Sequence, residues 1–184
     1  MIEFEVELQD LDNGSSEKTI KIPLNNGCGL SHQSEYVIVG STPRIPGIQS
    51  MDIWELNDIV EEINCENPCM TADLLVVMMT AVDGELWDKE FVRRIKESDF
   101  IFEDLTDITW KMNKKELAAC YIASEFKVPF EEGVTKKALE IITDDSILDY
   151  IDWELIWNQY AMNGFRLADG VGNNDQSLYL IHWR

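Results

Sequence analysis

Few residues in this chain are of types that do covalent or metal chemistry. Its 184 residues include two histidines, His32 and His182, and four cysteines, Cys28, Cys65, Cys69 and Cys120. Nucleophilic catalysis needs a nucleophile, a base and a third group that orients the base. His32 falls in a Gly/Ser loop, and His182 alternates with Ile181 and Trp183 along a strand, so both read as surface or edge-strand residues. Cys65-x3-Cys69 has the spacing of half a metal site, but structural zinc takes four ligands, usually as two close pairs, and Cys28 and Cys120 stand alone. Glu131-Glu132, Asp144-Asp145 and Asp152 with Glu154 pair carboxylates that acid–base chemistry or a divalent ion could use. None has the calcium-loop spacing, and among 35 acids adjacent pairs arise by chance. The run Gly170-Val171-Gly172-Asn173-Asn174 lacks the lysine of a phosphate loop and precedes a strand, so it reads as a turn. The expectation is a protein with no catalytic, metal-binding or cofactor-binding residues, and not an enzyme.

What remains is acidity and its placement. Thirty-five acidic side chains face 15 basic ones, a formal net charge of −20 at pH 7, yet 45% of the residues are hydrophobic. A disordered acidic tail lacks that much core material. A basic patch for nucleic acid or an anionic membrane is disfavoured, which leaves a partner with a large positive surface. The charge is uneven: residues 1–50 are net −4, residues 51–107 net −12, and residues 108–184 net −4. Glu3, Glu5 and Glu7 form a row at strand spacing; Asp52, Glu55, Asp58 and Glu62 form one at helical spacing, with Glu61 beside it. Asp83, Glu85, Asp88, Glu103, Asp104 and Asp107 complete the candidate partner-binding set. Duplex DNA carries one charge per roughly 1.7 Å of axis, so carboxylate rows on rigid elements approximate a phosphate ladder.

These rows require particular elements. Ile2, Phe4, Val6 and Leu8 alternate with the glutamates, which predicts a strand with one face on a core. Asp12 to Ser16 predicts a turn, and Lys18 to Ile22 the second strand of a hairpin. Tyr36 to Val39 predicts a third strand, and Gly40 to Ser50 a connection. From Asp52 to Asn64 the apolar period becomes helical, with Ser50 or Asp52 as cap. Further helices are predicted over 71–82, which is apolar nearly all round, and over 88–97. Phe100 to Phe102 predicts a short strand or link. Helices over 113–126, 135–142 and 152–162 follow, then a hairpin of residues 165–168 and 178–183 joined by a turn at 169–175. The expected class is α+β: an elongated row of two to three small subdomains. These would be a small β-rich domain at 1–50, an acidic helical bundle at 51–105, and helices with a terminal β-hairpin at 106–184.

The N-terminus has neither the basic nor the apolar region of a secretory signal, and no apolar run is long enough to span a membrane. The thiols are expected to be reduced and the protein cytoplasmic.

Three segments in order resemble one family, the ArdA-type antirestriction proteins. Glu35-Tyr36, a proline-containing link and Asp52-Ile53-Trp54-Glu55-Leu56-Asn57 resemble its approach to a middle helical domain. Ser98-Asp99-Phe100-Ile101-Phe102-Glu103-Asp104, leading into the Ala-rich stretch Leu117 to Ser124, resembles the next segment. Asp149-Tyr150-Ile151-Asp152-Trp153-Glu154, then Asn163-Gly164-Phe165 and a terminal hairpin, resemble its C-terminal signature. The resemblance spans about residues 35–184. It departs at Asn25 to Ser34, a short loop where the family has a helix, and at Trp153, where the family has tyrosine.

The resemblance implies a small acidic protein of phage or mobile elements that evades host defence by mimicking bent duplex DNA. It would act in the cytoplasm of the bacterial host, occupying the basic DNA-binding channel of a type I restriction-modification enzyme, and could pair into a homodimer through its last domain. An anti-CRISPR protein acting on an RNA-guided nuclease keeps the mechanism and changes the target. A generic acidic protein-interaction module is the second alternative.

Overall fold

The computed structural model describes residues 1–12, 17–25, 27–108, 112–144, 147–171 and 177–183. The predicted turn at 13–16, most of that at 169–175, and Asp145 lie outside the described residues. Contacts divide the chain into two compact units, Met1–Phe100 with Asp169–Gln176, and Ile101–Ala168 with Ser177–Arg184. The class is α+β, with a three-stranded antiparallel sheet in each half.

In the first unit, strand β1 (Phe4–Asp10) alternates as its sequence predicts: Phe4, Val6 and Leu8 are buried, Glu5 and Glu7 exposed. It is the central strand, between β2 (Glu17–Ile22) and β3 (Tyr36–Thr42). Both pairings are antiparallel, with Glu5 opposite Lys21 on one side and Thr42 on the other. The third strand therefore runs three residues beyond the predicted Val39. Glu7 faces Gly40 but Leu8 faces Ile38, so Val39 is an extra residue in the ladder, a β-bulge. Gly40 lies against the Glu7 side chain, whose Oε2 is 2.9 Å from where a Cβ would stand.

Helix α1 (Ile53–Glu66) buries Ile53, Leu56, Asn57, Val60 and Ile63. Asp52 caps it, its Oδ1 accepting from Trp54 N at 2.8 Å and Glu55 N at 3.1 Å. Ser50 instead ends a short 3-10 turn, Ile48–Ser50. Two asparagines on the inward side of α1 reach backbone of the N-terminal segment. Asn64 Oδ1 accepts from Ile2 N at 2.6 Å while Asn64 Nδ2 donates to Ile2 O at 3.0 Å. Asn57 Oδ1 accepts from Leu24 N at 2.7 Å. Helix α2 (Ala72–Val82) is buried along Leu75 to Met79. Helix α3 (Lys89–Glu97) buries Phe91, Val92 and Ile95, and is capped by Asp88. The buried Asn67 Nδ2 donates to Ile95 O at 3.0 Å, tying the end of α1 to the end of α3.

In the second unit, β4 (Phe100–Asp104), β5 (Phe165–Asp169) and β6 (Leu178–Trp183) form a sheet of order β4-β6-β5. The predicted terminal hairpin thus gains a third strand from the Phe100 segment. The helix predicted over 113–126 divides into α4 (Lys114–Tyr121) and a π-helical turn, Ile122–Phe126. Apolar positions alone do not distinguish an α turn from the wider π turn. Asn113 and Glu116 form a capping box at the start of α4. Helices α5 (Lys136–Ile142) and α6 (Trp153–Met162) follow. The core of this unit gathers Cys120, Leu139, Trp153, Trp157, Tyr160 and Phe165. Tyr160 OH donates to Val128 O at 2.6 Å. Among the described residues no helix is long and apolar enough to cross a membrane.

Two stability predictions follow from these contacts. Asn64→Leu leaves the Ile2 amide and carbonyl unpaired, and should cost about 2–3 kcal/mol in a denaturant titration. Burial, with Cys120 nearby, pushes the Tyr160 phenol well above its ordinary 10.0. A raised folded-state pKa contributes stability below the unfolded value that is lost as pH rises beyond it. Wild-type protein should therefore lose stability above pH 10 more steeply than Tyr160→Phe, as read by thermal melts across that range.

Candidate protein-binding face

Thirteen of the fourteen carboxylates singled out in the sequence are exposed: Glu3, Glu5, Glu7, Asp52, Glu55, Asp58, Glu61, Glu62, Asp83, Glu85, Asp88, Asp104 and Asp107. Glu103 is half-buried, and its Oε2 accepts from Tyr121 OH at 3.4 Å. Burial and the Glu103 and Glu125 charges raise the Tyr121 phenol pKa, which keeps it a donor. Several of the others have local duties. Asp52 and Asp88 cap α1 and α3. Asp83, at φ 51, closes α2 in the left-handed conformation. Asp104 Oδ1 accepts from Thr106 N at 2.9 Å and from the Thr106 hydroxyl. Helix caps and turns recruit Asp whatever the partner, so these three kinds of position say less about binding than their charge suggests.

The carboxylates form separate patches. Glu3, Glu5 and Glu7 stand on the sheet face turned away from Phe4, Val6 and Leu8. Glu55, Asp58, Glu61 and Glu62 stand on the α1 face turned away from Leu56, Val60 and Ile63. The asparagine links tie α1 to Ile2, just ahead of β1, and to Leu24, just after β2. Glu103, Asp104 and Asp107 belong to the second unit.

Helix α1 carries the denser row. Its turn spacing also brings in Glu66, exposed and four residues after Glu62, which sequence reasoning missed although the i, i+4 spacing marks it. Asp58, Glu61, Glu62, Cys65 and Glu66 line a shallow depression of about 360 Å³ together with Lys96. Lys96 Nζ meets Glu62 Oε2 at 3.0 Å, so α3 neutralises one member of the row. Among the described residues no cation lies within ion-pair distance of Glu55, Asp58, Glu61 or Glu66. The other charges of α3 are largely spent on itself. Glu90 binds Arg93 at 2.9 Å and Arg94 at 2.9 Å, and Arg93 also binds Glu97. Hydrogen bonds from Arg93 and Arg94 hold the Glu90 carboxyl down at about 2, and the same contacts raise the Arg93 guanidinium.

The residues weighed for catalysis are occupied otherwise. His32 stacks on Trp54, ring centroids 3.8 Å apart. His182 stacks on Phe165 at 4.1 Å, with Nε2 at 3.2 Å from Asn163 O. Asp152 caps α6, accepting from Leu155 N at 3.0 Å. Cys65 and Cys69 are exposed, Cys28 is half-buried and Cys120 is in the second core. Among the described residues no three His, Cys, Asp or Glu side chains converge as metal ligands would. The arrangement is suited to attracting and aligning a cationic surface. Compared with models of protein families and with curated proteins, the chain matches none.

The Glu90 contacts set a pH expectation. A depressed carboxyl contributes stability at pH above its unfolded value near 4.5, lost as pH falls towards about 2. Acid titration followed by side-chain NMR should show Glu90 protonating well below pH 4.5, towards about 2, with the Arg93 Nε resonance moving in step.

Proposed function

We propose that this chain is a DNA-mimicking inhibitor of host DNA-targeting defence, which blocks a type I restriction-modification enzyme by occupying its DNA-binding channel. The observation that carries the reading is the outer face of α1. Glu55 to Glu66 span about 16 Å of helix axis at 1.5 Å per residue, with five carboxylates on one side. That is one charge per about 4 Å, against about 3.4 Å per phosphate along one DNA strand. Counting Glu62 as neutralised by Lys96 widens the spacing to about 5.5 Å. A helix cannot flex as a disordered acidic tail does, so its charges meet Arg and Lys without the backbone-ordering cost of a disordered segment. The resemblance to ArdA-type antirestriction proteins supplies the target and the cytoplasmic setting in a bacterial host. In this reading the protein is a binder and not a catalyst, and needs no cofactor.

A homodimer through the C-terminal half is part of the same proposal. Met162 is 81% and Leu155 58% exposed, one face of α6 seven residues apart, and Tyr150 is 86% exposed. The reduced loop at 25–34 favours a smaller or different target than the family's, so an anti-CRISPR protein acting on an RNA-guided nuclease is the second reading.

Cleavage protection separates these readings. A type I enzyme and an RNA-guided nuclease are each assayed with the chain and with a Glu55→Gln/Asp58→Asn/Glu61→Gln/Glu66→Gln variant. The expected outcome is protection against the restriction enzyme, reduced at least about tenfold in potency by neutralising the row. Protection against the nuclease instead selects the second reading. Protection against neither, or protection unaffected by neutralisation, rejects mimicry by α1.

A further inference from the structure

On its α3 side, α1 bounds a groove of about 480 Å³ that is distinct from the Asp58/Glu61 ridge. Its floor is apolar. Val92 is buried, Ile59 is half-buried, and Trp87 is 39% exposed. The Trp87 ring lies against Gly47, at φ 69, where a Cβ would overlap it. The two walls are of opposite sign. Helix α1 contributes Glu55, Glu62 and Glu66; α3 contributes Lys89, Arg93 and Lys96, whose i, i+4, i+7 spacing puts them on one face, together with Glu97, which Arg93 neutralises. Walls of opposite charge could close on each other, but among the described residues only one ion pair crosses, Lys96 to Glu62. Arg93 turns to Glu90 and Glu97 on its own helix. Glu55, Glu66 and Lys89 have no ion-pair partner among the described residues.

We propose that this groove seats an amphipathic helix of a partner protein, one with an apolar stripe flanked by Lys or Arg on one side and Asp or Glu on the other. The stripe packs on Trp87 and Ile59, as aromatic anchors do at helix-in-groove interfaces. The basic flank faces Glu55 and Glu66, and the acidic flank faces Lys89. A helix basic on both flanks meets Lys89; one acidic on both flanks meets Glu55 and Glu66. Complementarity on both sides thus selects the mixed pattern, and like charges reject the others. This surface goes beyond the inhibitor reading: it shares Glu55 and Glu66 with the α1 row, but its apolar floor and Lys89 are its own, so the stripe dependence tests it separately.

The test uses four synthetic helical peptides at physiological salt: a leucine stripe with mixed flanks, the same with a serine stripe, and leucine stripes with all-Arg or all-Glu flanks. The expected result is that the mixed leucine peptide binds tightest, with NMR shifts confined to Ile59, Trp87 and Val92. Its serine counterpart should bind at least about tenfold more weakly. Reversing a wall should switch the preference. Glu55→Lys/Glu66→Lys should favour the all-Glu peptide, and Lys89→Glu the all-Arg peptide. All three positions are exposed helix surface, and if one variant fails to fold the other reads out the same property from the opposite wall. Shifts outside the groove, equal binding of the serine peptide, or a preference unmoved by wall reversal would overturn the proposal.

Discussion

Like-charge repulsion along α1 is the constraint around which the first unit is built. Acidic pairs three or four residues apart each destabilise a helix by a few tenths of a kcal/mol, and the outer side of α1 has several, from Glu55–Asp58 to Glu62–Glu66. The opposing contributions are visible. A stripe of Ile53, Leu56, Val60 and Ile63 is buried, each such side chain contributing roughly 1.5–3 kcal/mol. Asp52 places a negative charge where the helix N-terminus favours it. Asn64, Asn57 and Asn67 tie α1 to Ile2 ahead of β1, to the Leu24 loop and to α3. Lys96 cancels one carboxylate. The core and the caps offset the cost of displaying charge, and the display is what remains available for binding.

The strand row obeys the same logic with less tension. On β1 the glutamates alternate with core residues, and Lys21 lies across from Glu5. The bulge at Val39 and the absence of a side chain at Gly40 leave room for the Glu7 carboxylate. Acidity in this chain therefore has two sources. Some carboxylates are placed by the fold for its own needs, as at Asp52, Asp83, Asp88 and Asp104. Others, above all Glu55, Asp58, Glu61 and Glu66, have no structural duty that the described contacts reveal.

Much of this was legible from the residues, for identifiable reasons. Period-two alternation over Ile2–Leu8 and period 3.6 over Ile53–Ile63 are strong local signals, and so is Asp52 as the cap of α1. What was not legible depends on tertiary pairing or on turn width. No local pattern announces that β6 sits between β4 and β5, that a residue in β3 is extra, or that the last turn after Tyr121 widens to a π turn. In the candidate face, sequence spacing located the α1 row but not its neutralisation at Glu62. That depends on Lys96, thirty-four residues away. Nor could spacing show that Glu103 turns inward to Tyr121. Charge counts treat every carboxylate alike, whereas packing decides which are spent.

The central claim is that exposed carboxylates on α1 stand in for phosphates in a protein channel that normally holds DNA. Equilibrium competition tests it most directly: labelled duplex DNA bound to a type I restriction enzyme is titrated with the chain at a series of salt concentrations. The account predicts mutually exclusive binding, with full displacement of DNA and an affinity of the chain that falls steadily as salt rises. A ternary complex that retains the DNA, or displacement insensitive to salt, would contradict it.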